Sequence, residues 1–252
     1  MARPDACTTV TSVPLLATSM LTMRFGGVVA VDQVNFSLAA GELRCLIGPN
    51  GAGKSTFFKM LCGMLRPTAG TIRFAGADIA GAERHVIARA GIGIKTQVPS
   101  VFEGLTVEQN LMIAARRNRR RERPMAVVEA SIDRIKLGAI AHRAVGQLAH
   151  GQRQWVELAL LVATAPQLLL LDEPVAGMSA NETERTVELI GDLRRDTSLI
   201  VVDHDIRFIR MIGSTVTVFH RGSILTEGPA NDVLSDTRVQ DVYLGKRTAE
   251  HA

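Results

Sequence analysis

The segment Gly48-Pro49-Asn50-Gly51-Ala52-Gly53-Lys54-Ser55-Thr56 constrains this chain most, because it fits G-x-x-x-x-G-K-[ST] between a strand and a helix. A β-type run, Leu43 to Ile47, precedes it, and a helix is expected from Ser55 to Leu61. Its glycines let successive backbone N–H groups turn inward as a nest, and the helix N-terminus adds positive dipole. Such a cradle takes the phosphates of a nucleoside triphosphate. Lys54 would reach the β- and γ-phosphates, and Ser55 would ligate Mg²⁺. With 22 glycines in 252 residues, a chance match is on the order of 0.5%. No N-K-x-D motif accompanies the loop, which argues against a GTPase.

The rest of the pattern is that of an α/β chain. Short extended runs, Val28 to Val31, Val34 to Leu38 and Thr71 to Phe74, predict a small antiparallel sheet beside the first parallel strand. Thr106 and Gln109 form a capping box before a helix expected over Leu111 to Arg121. Gln152 to Ala163 reads as a buried helix, and Leu168 to Leu171 as a strand covered on both faces. Helices over Thr183 to Arg195 and Ile206 to Ile212, a strand over Leu199 to Val202, and a hairpin around Arg221-Gly222 complete the alternation.

Composition narrows the setting. At 46% apolar and 21% charged residues the chain is neither disordered nor fibrous. No apolar run approaches the roughly 18–20 residues of a spanning helix. The run from Val156 to Leu171 is broken by Glu157, Thr164, Pro166 and Gln167. Pro4, Asp5 and Thr8 to Ser12 do not suit a secretory signal, so the protein is expected inside the cell. Cys7, Cys45 and Cys62 lack metal-ligand spacing and read as reduced thiols.

The strand Leu168 to Leu171 ends in Asp172-Glu173. Asp172 can hold the magnesium, typically through water, and Glu173 is placed to orient and deprotonate an attacking water. Upstream, Leu148-Ala149-His150-Gly151-Gln152 opens the buried helix. This stretch resembles the L-S-G-G-Q signature of ABC-type ATPases. That resemblance implies an α/β fold: a P-loop NTPase (RecA-like) core with an antiparallel β sub-domain and an inserted helical sub-domain. Residues 20–97 and 153–245 would form the core with its β sub-domain, and 98–152 the helical sub-domain.

The resemblance extends to individual positions. Gln97 matches the family's Q-loop glutamine, which senses Mg²⁺ and the attacking water. His204 matches the switch histidine on the γ-phosphate, and Phe25 the aromatic that stacks on adenine. Ala149, His150, Gly151 and Gln152 would contact the nucleotide held by a second ATP-binding subunit, in a head-to-tail dimer expected to be a heterodimer. Three stretches, Lys95 to Glu103, His150 to Trp155 and Asp172 to Met178, with the ending Val242-Tyr243-Leu244-Gly245, are most similar to the ATP-binding subunits of urea transporters within the branched-chain amino acid and urea uptake class. This implies an ATPase powering import of urea or short amides through transmembrane permease subunits, with a solute-binding protein as indirect partner. It would sit on the cytoplasmic face of the inner or plasma membrane. A branched-chain amino acid importer, or a soluble or regulatory ABC protein with weak hydrolysis, is the alternative.

Two positions depart from the pattern. Ala149 replaces the signature serine, removing a donor to the γ-phosphate worth about 1.5–3 kcal/mol. Ser179 stands where many relatives carry an aspartate. The composite site completed by this signature is therefore expected to be the weaker one. Arg116 to Arg123 holds six arginines and reads first as a solvated helical face, second as a contact for anionic lipid headgroups. No aromatic residue interleaves with them, so nucleic acid is not an expected partner.

Overall fold

In the computed structural model, residues 13–96, 101–117, 123–213 and 215–244 are described. The strands are β1 (Leu16–Phe25), β2 (Val28–Leu38), β3 (Leu43–Ile47), β4 (Ala69–Phe74), β5 (Ala77–Asp78), β6 (Ile92–Lys95), β7 (Leu168–Asp172), β8 (Ser198–Val202), β9 (Thr215–His220) and β10 (Ser223–Pro229). The helices are α1 (Lys54–Leu61), α2 (Arg84–Ala90), α3 (Val107–Arg117), α4 (Pro124–Ile135), α5 (His150–Ala163), α6 (Ala180–Leu193), α7 (Ile206–Ile212), α8 (Ala230–Ser235) and α9 (Thr237–Leu244). One sheet has the order β10-β9-β3-β8-β7-β6, and a second, antiparallel sheet the order β2-β1-β4-β5.

The central strands are predominantly apolar because both of their faces are covered. Leu168, Leu169, Leu170 and Leu171 are all fully buried. With period-2 alternation, Leu168 and Leu170 join Phe57, Phe58 and Ile200 on one face, while Leu169 and Leu171 join Trp155, Leu158 and Phe208 on the other. Each such side chain contributes about 1.5–3 kcal/mol on burial. The first of these cores lies under β1, β2 and α1, the second under the layer of α3, α4 and α5.

Several elements escape the sequence pattern for local reasons. In β1 the alternation breaks at Ser19-Met20, where Met20 takes φ 49° and the register shifts. The two runs expected as separate strands form one β2, with Gln33 at φ 46° between them. In β6, Gly93 is required because a Cβ there would meet Leu169 and Pro166. In α4, Pro124 opens the helix, where a missing N–H costs nothing. The helix expected from Leu111 begins earlier, at Val107, behind a complete Thr106–Gln109 capping box.

Ser179 has a local role too. Its hydroxyl accepts from the Glu182 N–H at 3.4 Å, and its own amide donates to Glu182 Oε2 at 2.9 Å, capping α6. The backbone and side-chain bonds from Ser179 hold the Glu182 carboxyl below its ordinary 4.5. A depressed folded pKa means stability that is complete above the ordinary value and lost as pH falls through the folded one. Ser179→Ala should therefore lower stability by about 1 kcal/mol at neutral pH in urea unfolding. The gap to wild type should narrow as pH drops below the Glu182 titration.

Candidate active site

Strands β6, β7, β8, β3 and β9 are mutually parallel, so their carboxyl ends share one edge, where open α/β sheets bind ligands. From that edge leave the 48–53 loop after β3, Asp172 and Glu173 at the end of β7, and Asp203 and His204 after β8. Gln97 follows β6 but lies outside the described residues.

The phosphate-type loop is shaped by close backbone approaches. Gly48 takes φ 146°, and a Cβ there would run into the Phe219 carbonyl. Gly53 takes φ 104°, and its Cβ would lie 2.5 Å from Ala30 O. The Gly222 N–H donates to Ala52 O at 2.9 Å, and the Asp32 N–H donates to Gly222 O at 2.8 Å. The β9–β10 turn thus ties the loop to β2. No side chain caps α1 and its first turn carries no acid, leaving its amides to face an anion. Lys54 is buried, and its ammonium donates to Gly48 O at 2.6 Å and to Pro49 O at 3.0 Å. Burial lowers its pKa, while the Glu173 and Asp172 carboxylates oppose that shift. Around it, Ala52 and Gly53 are buried, Thr56 is half-buried, and Asn50, Gly51 and Ser55 are exposed.

The carboxylates form a second group. Burial raises the Asp172 pKa, helped by Glu173, with Lys95 and Lys59 pulling the other way. Glu173 takes φ 45°, a left-handed conformation uncommon for a side chain of its size. Its amide donates to Val202 O at 2.8 Å, so the turn is held from β8. His204 Nδ1 lies 3.2 Å from Glu173 Oε1, joining two groups that are separate in sequence. The buried Asp203 holds the histidine's loop. Its Oδ1 accepts the amides of His204 at 2.7 Å and Asp205 at 2.9 Å. Asp203 is not part of the motif pattern; its apolar-run-then-acid context, Val201-Val202-Asp203, is the signal that points to it. A cleft of about 240 Å³ opens beside His204, against the loop from Val175 to Met178.

The remaining predicted residues lie on other elements. Ala149 caps α5 with no side-chain oxygen, so only half of a capping box forms: its amide donates to Gln152 Oε1 at 3.2 Å. His150 is exposed, with Nε2 3.1 Å from Ala176 O, and Gly151 is buried where a Cβ would meet the Glu182 carboxylate. This ties the start of α5 to the loop that follows Glu173. Phe25, at the end of β1, is 46% exposed. Of the arginine run, Arg116, Arg117 and Arg123 are exposed and the others lie outside the described residues.

These residues fit a triphosphate with magnesium. The loop has glycine where a Cβ would collide with the backbone of neighbouring strands, a buried ammonium, and helix amides without a side-chain cap. The Ser55 hydroxyl and Asp172 carboxylate are hard oxygen donors suited to Mg²⁺. Among the described residues no group of three His, Cys, Asp or Glu side chains could hold a metal by itself. Mg²⁺ commonly takes few protein ligands and completes its shell with water and substrate phosphates. Among the described residues, too, no helix is long and apolar enough to cross a membrane.

Comparison with known proteins agrees with this geometry. Residues 31–176 match the protein family described as "ABC transporter". The chain is 35% identical over 251 residues to the high-affinity branched-chain amino acid transport ATP-binding protein BraF of Pseudomonas aeruginosa, covering 92% of this chain and 98% of that protein. It is likewise 35% identical over 253 residues to LivG of Escherichia coli K12, which carries the same description, covering 93% and 99%. The crystal structure of the ADP conformation of MJ1267, an ATP-binding cassette of an ABC transporter, superposes with a TM-score of 0.83 at 26% identity, over 93% of this chain and all of that one. The relatives do not single out the urea-type subunit that the sequence stretches resemble. With a matched family, relatives spanning its length and the fold of a solved cassette, the chain belongs to the ABC transporter family as an ATP-binding, ATP-hydrolysing subunit.

Proposed function

We propose that this chain is the ATPase of a membrane importer of the branched-chain amino acid class. The observation that carries the site assignment is the 3.2 Å approach of His204 to Glu173 on the sheet edge that also carries the Lys54 loop. The relatives' branched-chain amino acid descriptions support that solute class over urea. A second reading, urea or short amides, rests on the stretches Lys95 to Glu103, His150 to Trp155 and Asp172 to Met178.

In this reading the loop amides from Asn50 to Thr56 hold the phosphates of ATP, and Lys54 bridges its β- and γ-phosphates. Mg²⁺, when bound, neutralises charge on those phosphates, with Ser55, Asp172 and Gln97 around it. Glu173 orients a water and takes its proton as the water oxygen bonds to the γ-phosphorus and the bond to ADP breaks. His204 contacts the γ-phosphate and keeps Glu173 oriented, while Phe25 stacks on adenine. Ala149, His150, Gly151 and Gln152 meet the nucleotide of a second ATP-binding subunit, in a head-to-tail heterodimer. Residues 98–152 serve as the helical sub-domain ending in the signature motif, and residues 20–97 with 153–245 as the nucleotide-binding core with its β sub-domain. The dimer sits on the cytoplasmic face of the membrane, couples closure to transmembrane permease subunits and through them to a solute-binding protein, and does not engage nucleic acid.

Glu173→Gln should lower ATP turnover by about 10²–10⁴-fold while ATP still binds, and should accumulate a closed, ATP-loaded dimer in size-exclusion chromatography. Turnover equal to wild type would remove Glu173 from the role of base. For the solute, the complex purified with its permeases and binding protein should show ATPase stimulation by leucine, isoleucine or valine. Stimulation by urea alone would select the second reading.

A further inference from the structure

Outside the nucleotide loops, one buried pair of charges stands out. Lys95, the last residue of β6, is 4% exposed, and its Nζ lies 3.3 Å from Oε2 of Glu157, which is 6% exposed on α5. The second Glu157 oxygen has no hydrogen-bond partner among the described residues. Stability does not account for such a pair. Taking two charges out of water costs most of what their attraction returns, and apolar side chains of similar volume often do as well or better. An ion pair does differ from apolar packing in direction: Leu or Met tolerates a sliding neighbour, whereas N⁺···O⁻ contact defines one arrangement.

Its place in the fold gives that arrangement a use. Lys95 lies opposite Leu171 in the β6–β7 register, one residue before Asp172, and its charge is felt at Asp172. Glu157 lies two turns along α5 from His150 and Gly151, on the helix that the signature residues open. The pair is therefore a direct charged link between the signature helix and the strand pair that carries the catalytic carboxylates. Higher up, His150 touches Ala176 O, and Trp155 Nε1 donates to Thr186 Oγ1 at 3.0 Å, so α5 is tied to α6 as well.

We propose that Lys95 and Glu157 are positioning residues for the ATPase reaction: their ion pair sets the axial position of α5 against β6 and β7, so that the signature end and the Asp172–Glu173 end hold one register. The inference rests on the function proposed above. Glu157→Gln, which leaves the Lys95 charge buried without its partner, should be destabilising. The double variant Lys95→Met/Glu157→Leu removes both charges, and its melting temperature should stay within about 4 °C of wild type. In the purified transporter complex, the double variant should bind ATP with wild-type affinity and an unchanged KM, yet lose about tenfold or more in kcat, as small misplacements of reacting groups do. A kcat close to wild type would overturn the proposal, and so would a large fall in melting temperature, which would make the pair a stabilising core contact. ATP affinity falling in step with kcat would overturn it as well, by placing the damage in the nucleotide loop. A wild-type complex without ATPase activity would sink the proposed function along with this inference, whereas an active wild type with an unaffected double variant sinks the pair's role alone.

Discussion

Parallel strand pairing is the constraint on which the rest of this molecule depends. Registering β3 between β8 and β9, and β7 between β6 and β8, puts the carboxyl ends of strands distant in sequence on one edge. Parallel strands need crossovers and coverage on both faces, which explains the predominantly apolar β3, β7 and β8 and the two cores packed against them. The site is a consequence of that pairing. Each strand delivers a short polar segment to the edge, and each segment is then fixed by hydrogen bonds: the Glu173 amide by Val202 O, Ala52 O by the Gly222 amide, and the His204 amide by the Asp203 carboxylate.

Much of the site is legible in the sequence because phosphate chemistry demands local patterns. The glycines of the 48–53 loop, the lysine after them and the acid pair after four leucines are short-range statements of backbone and charge requirements. The central strands and the helix Ile206–Ile212 are legible for a similar reason, since burial on both faces or on one stripe is written in residue type. What stays hidden depends on long-range packing. β1 is masked by the bulge at Met20, β6 by glycines that let Leu169 approach, and α4 by the arginines before it. The Lys95–Glu157 pair cannot be read from the sequence, because their meeting follows only from the docking of α5 on the sheet.

The departures at Ala149 and Ser179 separate in structural terms. Ala149 costs a hydroxyl at the start of α5, and the half capping box through Gln152 leaves the helix end formed without it. Ser179 gains a use within the chain by capping α6 through Glu182, whose carboxylate also packs against Gly151. The start of α5, the loop after Glu173 and the start of α6 are therefore joined through Gly151, His150 and Glu182.

In the proposed function, the backbone amides of the 48–56 segment hold the phosphates of ATP at the sheet's carboxyl edge. Hydrogen exchange of the full chain, with and without Mg–ATP, tests it directly. Exchange should slow at the amides from Gly51 to Thr56 when nucleotide is added, and that protection should be lost in Lys54→Ala. Bound nucleotide with unchanged exchange across this segment would contradict it.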